Sequence, residues 1–206
     1  MPRATSPQDP PPAARRDPVA LGEARRRLLE ATLEVIGTEG IAAVTNRRVA
    51  SRAGVSLGSL TYHFPSQAQL LRESLILQVD REVARIEAIT ARIGQAGVTL
   101  QELVAEAEHL VAETSDDPAQ LAELDLHLHA ARHPELREAS ARCFAAYDDL
   151  AGAALRALSL PESDARAHLV VAMLNGLALR RLALRSPGAS GVAEALVVLV
   201  RGLTAD

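Results

Sequence analysis

The chain has 206 residues, 48% of them hydrophobic and 23% charged, which is enough for a buried core and too apolar for a disordered chain. A formal net charge of −4 argues against a generic nucleic-acid binder, and the single cysteine, Cys143, excludes an internal disulfide or a multi-cysteine metal cluster and fits a reducing cytoplasm. The apolar runs are short and broken by Arg, Glu or Gly, and no charged n-region with an apolar h-region opens the chain, so neither a membrane-spanning helix nor a secretory signal is expected.

All 22 basic residues are Arg, and 39 Ala with 31 Leu make up about a third of the chain. These are strong helix formers, and with only Tyr62, Phe64, Phe144 and Tyr147 as aromatics the sequence is poor in sheet-building residues. An all-α fold is expected. Residues 1–19 hold six prolines and no apolar period, and read as a disordered Pro/Arg-rich arm. Leu29, Leu33 and Ile36, widened by Leu28 and Val35, give one stripe of a helix from about Leu21 to Glu39, with Gly40 at its left-handed C-cap. The run Arg25–Arg26–Arg27 on that helix reads equally well as a solvated face.

Thr45 is an N-cap for a short helix ending near Ala53, Gly54 supplies the turn, and Ser56 caps a third helix that Pro65 ends. Ser66 with Gln69 forms a capping box for a long helix over about 66–93, stopped by Gly94 and Gly97. Thr99 with Glu102 caps a helix over 99–115. Asp117–Pro118 opens one to about Arg132, and Pro134 another to about Leu158. Pro161 and Ser163 precede a helix ending near Leu184, and the last covers about 191–204. That makes about nine helices.

The segment 45–64, TNRRVASRAGVSLGSLTYHF, is the informative part. Two short helices around a glycine turn form a helix-turn-helix, whose second helix enters the DNA major groove. Ala50 is small where the helices cross, and Val49, Ala53, Val55 and Leu60 supply their core. Ser56, Ser59, Thr61, Tyr62 and His63 form the polar remainder. Charge follows the same division: residues 1–65 carry a net +3 and residues 66–206 a net −7.

The pattern T-x-R-x-V-A-x-x-A-G-V-S-x-G-S-L-x-Y-H-F-x-S, followed by Leu70–Leu71, resembles the DNA-binding region of the TetR family of transcriptional regulators over residues 21–72. The resemblance implies a three-helix DNA-binding domain over 20–65. It also implies an effector-binding and dimerising domain over 66–206, with 66–93 as the connecting helix. By position, Thr45 meets a phosphate, Arg47 a base edge, and Arg48 the DNA backbone or solvent. Ser56, Leu57, Ser59 and Thr61 fall on the reading helix, the two hydroxyl residues Ser59 and Thr61 facing bases, while Tyr62 and His63 hold phosphates. Phe64 is expected in the core. Leu57, Thr61 and Gln67 depart from residues common in the family, and Gln67 removes a charge from the DNA face. Arg15 and Arg16 of the arm could compensate, though a mobile tail is the plainer reading.

Beyond residue 98 the residues specify less. The helix AHLVVAMLNGLALRRLAL and the last helix, VAEALVVLVRGL, are apolar nearly all round and are expected to pair with their copies in a homodimer. Phe144, Tyr147 and Asn175 are candidates for an effector pocket walled by Leu, Val, Ala and Met, suited to an apolar or amphipathic small molecule. Asn175 is also expected to find a structural hydrogen bond. Asp125, His129 and His133, with His127 nearby, fall at helical spacing. An apolar stripe of Leu121, Leu124, Leu128 and Ala131 makes them a surface cluster, so no metal or other cofactor is expected.

No phosphate loop, H-E-x-x-H or G-x-S-x-G occurs, so catalytic residues are not expected. The function expected is a cytoplasmic, ligand-responsive repressor on inverted-repeat operator DNA. The alternative is a helical small-molecule-binding enzyme or a protein-binding adaptor without specific DNA recognition.

Overall fold

The computed structural model describes residues 18–95, 99–113, 118–184 and 191–203. Among the described residues there are nine α-helices and no strand. In chain order they are α1 (Pro18–Glu39), α2 (Asn46–Ala53), α3 (Leu57–His63), α4 (Gln67–Gln95), α5 (Leu100–Glu113), α6 (Pro118–Ala130), α7 (Arg137–Ala157), α8 (Ser163–Leu184) and α9 (Val192–Leu203). Short 3-10 turns over Ile41–Ala43 and Pro134–Leu136 precede α2 and α7.

Local chemistry explains most boundaries. α1 begins earlier than its apolar stripe, at Pro18, because proline is at ease in a first helical turn. Residues 18 and 19 are therefore helical, and the rest of the expected arm, with Arg15 and Arg16, lies outside the described residues. Gly40 has positive φ, as expected, but its ψ of 161° is extended rather than left-handed helical. Thr45 Oγ1 accepts from the Arg48 amide, Ser56 Oγ from that of Ser59, and Gly54 takes the left-handed conformation at φ 65°.

Ser66 Oγ accepts from the Gln69 amide, but the Gln69 side chain donates onward to Glu73 rather than closing a box. The Thr99–Glu102 box is reciprocal, and the Thr99 amide and hydroxyl hold the Glu102 carboxyl below the usual carboxylate range. Gly94 does not stop α4, which runs to Gln95; Gly97 lies outside the described residues.

Packing departs from expectation on α6. Its buried positions are Ala122, Glu123, Leu126 and Ala130, while Leu128 is 65% exposed, so the stripe through Leu121, Leu124, Leu128 and Ala131 is not the inner face. The cause is a backbone crossing. Gly37 of α1 is buried, and a Cβ there would overlap the backbone of Pro118, so α6 starts directly on α1. With α6 started there, Ala122 and Leu126 are fully buried and Leu128 is left outside.

One apolar core runs from α1 through Phe64, Leu70 and Leu75 to Leu126 and Cys143, without a break at Pro65. A second joins α5, α7, α8 and α9. α7 lies between α4 and α8.

Candidate nucleic-acid interface and effector cavity

The α1–α3 head is built around Val49, Ala50, Ala53, Leu60 and Phe64, all buried, with Val55 half-buried against them. Phe64 is core, as expected, and the Arg25 guanidinium lies 5.5 Å from its ring centroid while pairing with Glu73 of α4. Arg26 pairs with Glu30, and Arg81 of α4 reaches the same carboxylate at 2.6 Å. Together these two arginines hold the Glu30 carboxyl below its usual range. The arginine run is therefore partly a lacing of α1 to α4.

The exposed surface sorts the expected contacts. Arg48 Nη1 pairs with Glu39 at 2.7 Å, and Arg52 pairs with Glu34 and Glu39, so both are turned back on α1. Arg47 is exposed and makes no ion pair or hydrogen bond among the described residues. Of the three, it alone keeps its guanidinium uncommitted.

On α3, Tyr62 is 63% and Leu57 48% exposed, with Ser56 and Thr61 also on the surface and Ser59 and His63 half-buried. The Thr61 hydroxyl donates to Leu57 and Gly58 carbonyls, which leaves its oxygen as an acceptor and its methyl for apolar contact. Tyr62 and His63 rings meet edge to face at 5.3 Å. Gln67 has a role the sequence did not suggest: its amide donates to the Val44 carbonyl, tying the start of α4 to the turn before α2.

The other region of interest is a cavity of about 130 Å³ among α4, α5, α7, α8 and α9. Its walls are apolar, with Leu103, Leu110, Leu150, Leu155, Val171, Leu174 and Leu196 among them. Arg85, Glu106, Tyr147 and Asn175 are its polar members. Glu106 is engaged by Arg92 at 3.2 Å. Tyr147 donates its hydroxyl to Glu82 at 2.5 Å, and burial, reinforced by the Glu123 and Glu82 carboxylates, pushes the phenol far up, so it remains neutral.

A family model described as "Bacterial regulatory proteins, tetR family" matches residues 28–74, and one described as "Tetracyclin repressor-like, C-terminal domain" matches residues 98–206. This chain belongs to the TetR family. The "HTH-type transcriptional repressor KstR" of Mycobacterium tuberculosis is 43% identical over 77 residues, which are 37% of this chain and 33% of KstR. The match thus spans about a third of the curated relatives' length.

Solved structures are similar over nearly the whole fold. The multidrug binding protein EbrR, complexed with imidazole, is 30% identical with a TM-score of 0.63, covering 85% of this chain and 93% of its own. The TetR-family member SCO1917 from Streptomyces coelicolor A3 is 29% identical with a TM-score of 0.68, covering 86% and 98%.

Within this TetR-family chain, two of the three expected pocket residues, Tyr147 and Asn175, line the cavity. Phe144 does not. It is 37% exposed and stacks on His127 with ring centroids 4.4 Å apart, off the inner face that Ala139, Cys143 and Ala146 form in this part of α7. Asn175 is exposed, so it needs no buried partner. The sequence reading missed α4 and α9 as walls, which contribute Arg85, Ile93, Leu196, Leu199 and Val200. α8 also corrects an expectation, since by length and apolarity alone it is long enough to cross a membrane. Part of it is absorbed by the cavity and second core, while Leu169, Ala172, Gly176 and Leu179 stay exposed along another face. His129 and His133 stack at 4.6 Å near the surface, and burial together with the His133 charge lowers the His129 pKa.

Proposed function

We propose that this TetR-family chain is a cytoplasmic, homodimeric repressor. It binds an inverted-repeat operator through α2 and α3 and leaves it when a small apolar or amphipathic effector enters the cavity. The observation that carries the reading is Arg47, whose uncommitted guanidinium stands on the head while its neighbours Arg48 and Arg52 are tied to α1. A guanidinium presented in this way matches guanine O6 and N7. Thr45 and Ser56 at helix starts, with Tyr62 and His63, supply phosphate contacts. The exposed α8 face, with Leu169, Leu179 and Leu184, and Val198 of α9, supports pairing with a second copy.

The cavity supports the effector. A void near 150 Å³ holds a molecule of about benzene size, so 130 Å³ admits a small ring before any wall moves. EbrR, similar in fold, is solved with imidazole, with proflavin and with ethidium. The division into head and receiver follows the same reading, with α4 as the connecting helix.

The test is reciprocal binding. Operator fragments are selected with the purified protein, effectors are found by thermal shift, and each effector is titrated with and without operator. Operator is expected to weaken effector binding by the same factor as effector weakens operator binding. Effector affinity unchanged by operator overturns the release mechanism, and equal affinity for every duplex overturns specific reading. Sedimentation showing only monomer at micromolar concentration overturns the dimer.

A further inference from the structure

Where α6 meets α7, a group of polar side chains is used neither by the head nor by the effector cavity. Glu123 and His127 stand one turn apart on α6 and face Cys143 of α7. Cys143 Sγ is 3.3 Å from Glu123 Oε1, and His127 Nε2 is 3.7 Å from the same oxygen. One ligand atom from each of the three residues lies within 4.8 Å of the others. Cys143 is 1% and Glu123 6% exposed, and the second Glu123 oxygen, Oε2, is buried with no hydrogen-bond partner.

A buried carboxylate with an unmet oxygen is costly unless a cation meets it. Among the described residues no arginine pairs with Glu123, and Arg85 is bound to Glu82 at 2.6 Å. His127 is already oriented. Its Nδ1 lies 2.6 Å from Ser140 Oγ and its ring stacks on Phe144, leaving Nε2 toward Glu123. A hydrogen bond to the far ring nitrogen is how ligating imidazoles are held in one tautomer.

We propose that Glu123, His127 and Cys143 form a binding site for one divalent cation of the zinc class. The donor set decides the class: a thiolate with an imidazole disfavours magnesium and calcium, and a carboxylate disfavours Cu(I). Ligand bonds of about 2.0–2.3 Å in a tetrahedron separate donors by roughly 3.2–3.7 Å, close to the spacing already present. Binding exchanges the Cys143 S–H bond for a sulfur–metal bond and releases that proton to solvent. In the metal-free protein, burial and the Glu123 carboxylate keep the proton on sulfur. The ion ties α6 to α7, and because Pro118 at the start of α6 rests on Gly37, it also fixes the support beneath the head.

The test uses the full chain and cobalt(II) as a spectroscopic stand-in. Cobalt is expected to bind as a single equivalent with a thiolate-to-metal charge-transfer band that zinc abolishes by displacement. Cys143→Ser removes the band, and His127→Gln and Glu123→Gln each weaken affinity about tenfold or more. Zinc is expected to raise the melting temperature of the wild type and not of C143S. A wild type without the band overturns the site, as does a band whose affinity is unchanged by both His127→Gln and Glu123→Gln. Neither readout involves DNA or effector, so the outcome is independent of the regulatory reading.

Discussion

The head and the receiver of this molecule solve packing in opposite ways. In α1–α3 a handful of residues divide the work, one role to each. Gly54 turns, Ala50 permits the crossing, and Phe64 fills the centre. In α5, α7, α8 and α9 many similar Leu, Val and Ala residues share a single role, and they leave a cavity unfilled. A surface that must present side chains to a fixed lattice of base edges needs a rigid frame. A pocket needs volume and give, and tolerates interchangeable walls. The comparison predicts that stability and recognition are concentrated in the head and spread thinly in the receiver.

The largest expected effect is at the centre of the head. Phe64→Ala should lose about 3–5 kcal/mol in denaturant unfolding, since the ring is fully buried and cannot be replaced by collapse. A loss under about 1 kcal/mol would show the head to be as plastic as the receiver. Arg47→Ala should cost roughly 1–3 kcal/mol of operator affinity and relax one base preference, whereas Tyr62→Phe should weaken all duplexes alike. Competition binding with single-base operator variants separates the two, and uniform weakening by Arg47→Ala would remove it as a base reader. Ser56→Ala should cost about 1 kcal/mol of stability through the lost cap of α3, read as a shift in melting temperature. The smallest change should come from Leu174→Ala, at a half-buried cavity wall: under about 1 kcal/mol in unfolding, but with a measurable change in effector affinity by calorimetry. Equal costs for Leu174→Ala and Phe64→Ala would end the distinction between the regions.

What the sequence disclosed follows the same line. The caps Thr45 and Ser56, the turn at Gly54 and the burial of Phe64 were legible because each is a short-range requirement with few acceptable residues. The inner face of α6 was not legible, because Ala122 and Leu128 carry no local sign of which one a distant backbone will approach. Phe144 was misplaced for a related reason. An aromatic on an Ala-rich helix looks like a pocket wall, yet Phe144 falls on the exposed side of α7 beside His127, while Tyr147, three residues on, is the one that lines the cavity. The Glu123–His127–Cys143 grouping was hidden because its members come from two helices with no fixed spacing between them. The histidines that do show regular spacing lie near the surface.

The bare backbone of Gly37 against Pro118 also bears on how freely such regulators can be recombined. Heads and receivers are attractive parts to exchange when a new sensor is to drive an old promoter. A head grafted here from another regulator would need glycine at this position, whatever its reading helix says. With alanine or anything larger it would have to lift away from α6, and the chimera would carry a working reader on a displaced mount. Compatibility of exchanged parts is thus decided by a residue with no side chain, remote from both the operator and the effector.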